Sequence, residues 1–423
     1  MEAAAQSVYP FEQKCPFAPP EELTWRRRNA PVSQVRLANG STAWLVTRYD
    51  DVRTVLTDPR FSRRQVREAA MRGGPPGAPA PAPAPAPAPQ GGSARTSPPP
   101  SGRFDFGMSL SDPDRHAAWR RTLASVLTPR HAESLRERVA RAVEETLDEL
   151  QGGPQPADLV SGFAYQVPVR VLCELFDLPE DMRPAFRAWA AQIRAAAPST
   201  AAFGEAMGSL YGVARRLVDK ERAAPGEGVI GLLLTAAGEE AAPADEELLT
   251  TVMLLATAGY ESTAVQFANG LLALLQHPGE AARLRAGQVS AAAAVEEILR
   301  YAQAGTGFAG TTVTTEDVRL GGETIPAGST VLISLDSAGR DESHTDRPDE
   351  FDLGQGAPHH HLTFGAGSHF CLGAALARVE LQEGIARLLR RFPALRPHDD
   401  PAAVEFTANL FHRYPRELLV VWS

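Results

Sequence analysis

A segment rich in proline and alanine, residues 73–102, limits how this chain can fold. Proline and alanine alternate without interruption from Ala78 to Pro89. Proline lacks the N–H group and the backbone freedom that a helix or a central strand requires, so neither can form there. The segment is either a linker between domains or a long insertion in a surface loop. Because the residues before it are few for a stable domain, we predict a disordered insertion within one domain spanning residues 1–423.

Helical patterning dominates after this segment, with apolar residues recurring at spacings of three and four. The predicted helices cover residues 115–127, 133–150, 183–197, 203–222, 246–276 and 291–302. Two short strands around Gly321-Gly322 predict a hairpin, and further strands are predicted over 330–335 and 418–422. The predicted fold class is therefore mainly α with a minor β part.

Composition argues against several classes of protein. The net charge is −9 and the sequence pI is about 5.7, which gives no basic excess for binding nucleic acid or an anionic membrane. The three cysteines (Cys15, Cys173, Cys371) are too few and too scattered for a disulfide framework, which is typical of a reducing compartment. The first residues do not resemble a secretion signal, so we expect a cytoplasmic protein.

The most apolar stretch, residues 248–275, is long enough to cross a membrane. It contains Glu261, Gln266 and Asn269, however, and such polar groups are rare in lipid. We therefore expect a long helix buried inside a large protein, and no membrane association.

A glycine-rich loop, Phe364-Gly-Ala-Gly-Ser-His-Phe-Cys-Leu-Gly373, delivers Cys371 just before a helix rich in alanine and leucine. Gly365 and Gly367 permit a sharp loop whose backbone N–H groups can point at the sulfur, and Gly373 leaves room for a flat ligand. The positive end of the following helix is expected to lower the pKa of the cysteine and to hold a thiolate.

Two other interpretations of Cys371 compete with a thiolate ligand. One is a buried, inert cysteine, which is the usual state of an isolated free cysteine. The other is zinc binding, because several histidines lie nearby, but the paired spacing of four zinc ligands is absent. These histidines are His359, His360, His361 and His369.

The run Phe364-Gly-x-Gly-x-His-x-Cys-x-Gly-x-x-Leu-Ala377 is similar to the heme-binding signature of the bacterial soluble cytochrome P450 family at every fixed position. The resemblance implies a single large helical fold with small β-sheets. It makes Cys371 the thiolate ligand of the iron of heme b (iron protoporphyrin IX), with further heme contacts from Phe364, Gly365, His369 and Gly373. Such a thiolate donates electron density that favours O–O cleavage.

The long helix carries Ala258-Gly-Tyr-Glu-Ser-Thr263, which resembles the oxygen-binding stretch of the family. The resemblance places Ala258 and Gly259 against the cofactor, and Gly259 would leave room for a ligand beside the backbone. Glu261 would relay protons from solvent, and Ser262 would hydrogen-bond dioxygen. Ser262 departs from the usual threonine: it keeps the hydroxyl but loses the methyl group that restricts the rotamer. Thr263 is the next hydroxyl along the chain.

Upstream, the stretch from Ser111 to Arg121 resembles the helix whose histidine and arginine meet the heme propionates, which gives those roles to His116 and Arg120. His369 resembles a third propionate partner. A fourth, an arginine in the strand after the family's Glu-x-x-Arg pair, is replaced here by Thr312.

Glu297 and Arg300 stand three apart on one predicted helix face. Such a pair is usually a solvated salt bridge. Because it lies upstream of the cysteine loop and directly before the hairpin, it resembles the buried Glu-x-x-Arg pair of the family. We predict a structural role for it in the core beside the heme.

The resemblance implies a monooxygenase that uses dioxygen and two electrons to hydroxylate or epoxidise an organic small molecule, in bacterial secondary metabolism. No Rossmann glycine pattern or flavin module is evident, so ferredoxin and ferredoxin reductase are the expected electron donors. Arg120, Arg121 and Arg378 are candidates for the docking face, although surface arginines are usually only solvated.

The substrate pocket is expected to include Leu254, Thr257, Phe308 and Leu410, the last within Asn409-Leu-Phe411; ordinary core packing would explain the same apolar residues. The insertion falls where the family carries a variable loop over the pocket entrance, which favours a large substrate, carrier-bound or peptidic. Two alternatives remain open. One is oxidative coupling or crosslinking of a peptidic or aromatic substrate, and the other is a non-catalytic heme sensor, which would give Glu261 and Ser262 no task.

Overall fold

The computed structural model describes residues 8–13, 17–64, 66, 113–196, 200–237, 242–305, 310–355, 361–408 and 412–422. The predicted insertion, residues 73–102, lies outside the described residues, as do two residues of the predicted pocket, Phe308 and Leu410, with the rest of Asn409-Leu-Phe411.

Helices form most of the structure. Those described are α1 Glu21–Asn29, α2 Tyr49–Thr57, α3 Pro113–Val126, α4 Pro129–Ser134, α5 Arg136–Gly152, α6 Gln166–Leu175, α7 Arg183–Ala195, α8 Ala201–Ala223, α9 Val229–Ala237, α10 Asp245–Gln276, α11 Pro278–Arg285, α12 Ala291–Tyr301, α13 Leu335–Ala338 and α14 Ala374–Arg391. The six helices predicted from periodicity are confirmed, and their ends differ from the prediction by a few residues. The mainly α fold class is confirmed.

Short strands make up the β part. They are β1 Val8–Tyr9, β2 Val32–Leu37, β3 Thr42–Val46, β4 Phe61–Ser62, β5 Ala157–Asp158, β6 Thr311–Thr314, β7 Val318–Leu320, β8 Glu323–Ile325, β9 Thr330–Ile333, β10 Arg396–Pro397, β11 Phe406–Ala408, β12 Arg413–Pro415 and β13 Leu419–Val421. The predicted hairpin is β7–β8, whose turn glycines Gly321 and Gly322 have φ values of 57° and 88°. The strand predicted over 330–335 ends at Ile333, because Ser334 caps α13 by accepting a hydrogen bond from the Ser337 N–H.

One sheet joins the first strands of the chain to strands between residues 311 and 333. Its strand order is β1-β2-β3-β9-β6-β4, so strands from the first part of the chain pair with strands that follow α12. In this sheet β3 lies parallel to β9 and β4 lies antiparallel to β6. Residues such as Val32, Val46 and Val52 are buried, so the part of the chain before residue 73 contributes to the core.

The long helix α10 passes through the main hydrophobic core. It is the one described helix that is long and apolar enough to cross a membrane by length and composition alone. Its C-terminal half is packed inside the protein, from Thr263 to Leu274. Phe267 lies so close to Gly384 of α14 that a Cβ atom on that glycine would be only 2.5 Å from the phenyl ring. This close approach fixes α10 against the helix that follows the cysteine loop.

The Glu297–Arg300 pair is buried, as predicted. Each side chain is 7% exposed, and the guanidinium donates two hydrogen bonds of 2.8 Å to the carboxylate. Arg300 also donates to the carbonyl oxygens of Gly339, Pro348 and Glu350. The pair therefore ties α12 to the irregular chain after α13, and the solvated surface bridge is excluded.

Candidate active site

The cysteine loop has the sharp backbone that its glycines predicted. Gly365 and Gly367 adopt φ values of 71° and 68°, and the Cys371 N–H donates to the Phe364 carbonyl oxygen at 2.9 Å. A Cβ atom at residue 367 would lie 2.8 Å from the Leu56 carbonyl oxygen. The loop therefore rests directly on the backbone at the end of α2, and only glycine fits this contact.

The sulfur of Cys371 accepts hydrogen bonds from the backbone N–H groups of Gly373 and Ala374 at the start of α14, as predicted. Part of the residue is exposed to solvent, but the protein around the sulfur withdraws it from bulk water. This burial raises the pKa of the thiol more than the two N–H groups and the nearby Arg120 and Arg378 lower it. The prediction of a lowered pKa was therefore wrong, because desolvation exceeds the effect of the helix end. A bound metal cation would reverse the balance, since a coordinating thiol is deprotonated.

A basic cluster lies beside the loop. The rings of His116 and His369 stack with their centroids 4.3 Å apart, and Arg120 donates to the Phe370 carbonyl oxygen at 2.5 Å. Burial, reinforced by the positive charges of neighbouring arginines, lowers the pKa of His116 to about 4 and that of His369 to about 3. The structure thus brings together the three residues predicted to meet the heme propionates.

Arg63, which sequence reasoning missed, belongs to the same cluster. Its charge contributes to the lowered pKa values of both histidines. Burial, with a smaller effect of Arg120, lowers the pKa of Arg63 itself to about 10. The sequence offers only the pair Arg63-Arg64 before the proline-rich segment, and such a pair is ordinarily a solvated surface feature. No local signal could have identified it.

Glu296, His361 and Arg378 form an ionic brace that supports the cysteine loop. Arg378 donates to both carboxylate oxygens of Glu296, at 2.6 and 3.0 Å, and the His361 ring lies 3.1 Å from the same carboxylate. The Arg378 guanidinium also lies 4.6 Å from the centroid of the Phe364 ring. Arg378 therefore holds the loop in place, whereas Arg121 is an exposed residue of α3.

The zinc alternative finds no support among the described residues. They contain no group of three or more His, Cys, Asp or Glu side chains able to hold a metal ion. His361 is engaged with Glu296 and His369 with His116. His359 and His360 lie outside the described residues.

The predicted oxygen-binding residues lie on α10, but no described contact links them to the cysteine loop. The Glu261 side chain is 42% exposed and its Oε1 atom is 3.6 Å from Nδ1 of His412. This exposure is compatible with the predicted exchange of protons with solvent, and the role of Glu261 stays a prediction. Ser262 is half-buried and donates to the Ala258 carbonyl oxygen at 2.5 Å, whereas Thr263 is buried.

The remaining predicted positions on α10 differ in their surroundings. Ala258 is exposed, and Leu254 and Thr257 are half-buried, as residues bordering a pocket would be. At Gly259 a Cβ atom would lie 3.2 Å from Leu172 of α6. The missing side chain at Gly259 thus makes room for α6. The prediction that it makes room for a ligand was wrong.

Comparison with known proteins agrees with the geometry. The family model "Cytochrome P450" matches residues 227–420. Mycinamicin IV hydroxylase/epoxidase of Micromonospora griseorubida is 35% identical over 100% of both chains. The chain belongs to the cytochrome P450 family. Nocardicin C N-oxygenase of Nocardia uniformis subsp. tsuyamanensis is also similar to this P450, with 36% identity over 94% of each chain.

Solved structures lead to the same family. The mixed-function P450 MycG (F286A mutant), solved in complex with mycinamicin IV, superposes on this P450 with a TM-score of 0.84 and 34% identity, over 98% of this chain and 99% of the other. This P450 is accordingly a heme-dependent monooxygenase that uses dioxygen, a redox partner and an organic small molecule. The coupling enzyme and the non-catalytic sensor are not favoured.

The residues present fit a heme. The cysteine sulfur faces two backbone N–H groups, and the adjoining basic cluster suits the carboxylates of the cofactor. His116 is 5% exposed, and its Nε2 atom has no hydrogen-bond partner in the structure. A buried nitrogen of this kind is costly unless a ligand group satisfies it.

Proposed function

We propose that this P450 binds heme b through Cys371 and inserts oxygen into a large natural product of bacterial secondary metabolism. One observation carries the assignment: the Cys371 sulfur lies at the start of α14, facing two N–H groups, beside the cluster of His116, Arg120 and His369. Phe364, Gly365 and Gly373 shape the loop around this ligand. The iron of a porphyrin matches the cysteine sulfur, and the porphyrin carboxylates match the basic cluster.

When bound, the heme supplies the activation of dioxygen, and the chain supplies the ligand, the proton path and the pocket. Glu261 can exchange protons with solvent because its carboxylate is partly exposed, and His412 lies close enough to steer it. Ser262 holds its hydroxyl against Ala258 and can turn it toward a ligand. Leu254 and Thr257 border the substrate, together with Phe308 and Leu410.

A ferredoxin, reduced by a ferredoxin reductase, donates the electrons in the cytoplasm. The basic residue Arg121 and the aromatic ring of Phe370, which is 43% exposed, suit the docking of a small acidic protein.

The chain forms one domain, with residues 73–102 as an insertion. Support comes from the sheet that joins β1 to β4 with β6 and β9, since strands on either side of the proline-rich segment pair with each other. The relatives named for mycinamicin IV and nocardicin C favour a large, functionalised substrate for this P450 as well. Deleting residues 73–102 should change the affinity for such a substrate and the pattern of products.

The heme assignment is tested by the difference spectrum of the reduced protein with CO. We expect a strongly red-shifted, thiolate-type Soret band that disappears in Cys371→Ser. Cys173→Ala is the matched control, because Cys173 is buried in the core and should leave the band unchanged. Colourless protein, or a red-shifted band that persists in Cys371→Ser, would contradict the assignment.

The reaction is tested with labelled dioxygen. Mycinamicin IV and nocardicin C serve as probes: a type I spectral shift with either would define the substrate class. Incorporation of label into the product is the expected outcome, whereas coupled product without label would support the crosslinking alternative.

A further inference from the structure

Thr312 marks a position where the family resemblance implies an arginine and this chain has none. It lies in β6, is 3% exposed, and its Oγ1 atom has no hydrogen-bond partner in the structure. A short buried hydroxyl at this position cannot reach a ligand as a guanidinium would. Thr312 therefore cannot supply the guanidinium group that the resemblance implies at this position of β6.

An arginine, Arg63, directly follows the neighbouring strand β4. In the antiparallel register, Phe61 pairs with Thr314 and Ser62 with Val313. Continuing this register by one step sets Arg63 opposite Thr312. The cysteine loop lies near this part of the chain, since Gly367 packs on the end of α2, a few residues before β4.

Charge supports the same placement. Arg63 is close enough to influence His116, His369 and Arg120. None of the salt bridges between described residues includes Arg63 or Arg120. Two positively charged guanidinium groups thus lie beside two imidazole rings that can donate hydrogen bonds, and no described carboxylate balances the charge of the guanidinium groups. This is the composition of a site for an anion.

We propose that Arg63 binds a carboxylate of the heme and takes over, from the adjacent strand, the role that an arginine at position 312 would have. The inference rests on the proposed heme site. It makes Arg63 the fourth member of a set with His116, Arg120 and His369, and it explains how the chain accommodates threonine at 312. The planar guanidinium suits a carboxylate because it can donate two parallel hydrogen bonds.

The test is the rate of heme release from the ferric holoenzyme to an excess of apomyoglobin. Arg63→Ala should release heme about tenfold faster or more, because a charge-assisted hydrogen bond is lost. Arg64→Ala is the matched control: Arg64 is the next residue, its side chain is exposed, and its release rate should stay within about twofold of wild type. The double variant Arg63→Ala, Thr312→Arg should recover slow release, since it returns the guanidinium to β6.

The reduction potential gives an independent readout. Arg63→Ala should lower the potential of the iron, because an uncompensated carboxylate stabilises the ferric state. Arg63→Lys keeps the charge but loses the paired donors, so it should keep the potential close to that of wild type and release heme at an intermediate rate. If Arg63→Ala does not fold, the heme release rates and reduction potentials of Arg63→Lys and of the double variant test the inference.

Heme release and potential unchanged in Arg63→Ala would overturn the inference, as would equal effects of Arg64→Ala. These outcomes are distinguishable from failure of the heme assignment. If the heme assignment fails, wild type itself would lack the red-shifted CO band. If only the Arg63 inference fails, that band would remain intact in every variant.

Discussion

Glu380 is an acid buried in α14, nine residues after the proposed ligand. The residue is 4% exposed, and its Oε2 atom has no hydrogen-bond partner in the structure. Burial raises the pKa of this carboxyl well above its ordinary value. The folded protein therefore retains a proton that the unfolded chain releases, so the stabilising effect of this group is complete at acidic pH and is lost as pH rises toward the folded pKa.

Glu380→Met should stabilise the protein at neutral pH. The expected gain in the free energy of unfolding is about 1–3 kcal/mol, the range for relieving a buried unsatisfied polar group. The gain should shrink below about pH 4, where the unfolded carboxyl is also protonated. Chemical denaturation at neutral pH and below about pH 4 measures this gain.

Glu383→Gln on the same helix is the control. Glu383 is hydrogen-bonded to Arg136 and Arg387, so its replacement should lower stability instead. A loss of stability in Glu380→Met at neutral pH would show that the carboxyl has a partner that stabilises it.

Among the structural elements, the cysteine loop depends most on one contact between backbones. Gly367 combines a left-handed conformation with an approach to Leu56 that leaves no space for a Cβ atom. Gly322, in the β7–β8 turn, has a φ value of 88°, but a Cβ atom there would meet no described neighbour within 4 Å. A side chain at Gly322 would therefore meet only the strain of the left-handed conformation, whereas a side chain at Gly367 would also clash with α2.

Gly367→Ala should lower the free energy of unfolding more than Gly322→Ala does. Both changes carry the cost of a left-handed alanine, about 1–2 kcal/mol, and only the former also displaces the loop from α2. Thermal unfolding measures the difference, and the CO difference spectrum should show a reduced thiolate-type band in Gly367→Ala alone. Equal destabilisation by the two substitutions would mean that α2 can move away from the added Cβ atom at little cost in free energy.

The Glu296 brace connects three elements: α12, α14 and the segment that enters the cysteine loop. Burial tends to raise the pKa of Glu296, but hydrogen bonds from His361 and Arg378 outweigh it and lower the pKa to about 2. A carboxyl with a lowered folded pKa stabilises the protein above its ordinary pKa, and that contribution is lost as pH falls toward 2.

Glu296→Gln should therefore remove part of the acid sensitivity. The free energy of unfolding of wild type should fall between about pH 4.5 and 2 by up to about 3 kcal/mol more than that of the variant. Urea denaturation across this range measures it. Glu350→Gln is the control, because the bridge from Glu350 to Arg347 is more than half exposed on both sides and should contribute little. Parallel pH profiles of Glu296→Gln and wild type would contradict the assignment.

For the whole molecule, local patterns predicted the helices and the sharp loop that carries Cys371. The periodicity of α10 and the glycines around Cys371 are short-range features that a single sequence displays directly. The sheet was not predictable in this way, because β4 has two residues and pairs with β6 far along the chain. Arg63 was missed for the same reason: only the register of β4 against β6 and the folded position of the cysteine loop bring it beside His116.

The prediction for the pKa of Cys371 failed because that pKa depends on burial. The sequence shows that Cys371 precedes a helix, but not how strongly the surrounding protein excludes water from its sulfur. It shows that Glu261 lies in an apolar stretch, but not that its side chain is 42% exposed. Burial depends on contacts distant in sequence, so charge states cannot be obtained from local patterns alone.

The parallel pairing of β3 with β9 has a consequence for the newly made chain. Trp44, Leu45 and Val46 pair with Val331, Leu332 and Ile333. At bacterial elongation rates, the ribosome reaches β9 roughly 15 to 60 seconds after it has made β3. Throughout that interval β3 presents an apolar edge without its final neighbour, and such edges readily join other chains. The yield of folded enzyme should therefore depend on how well chaperones shield the N-terminal strands during translation.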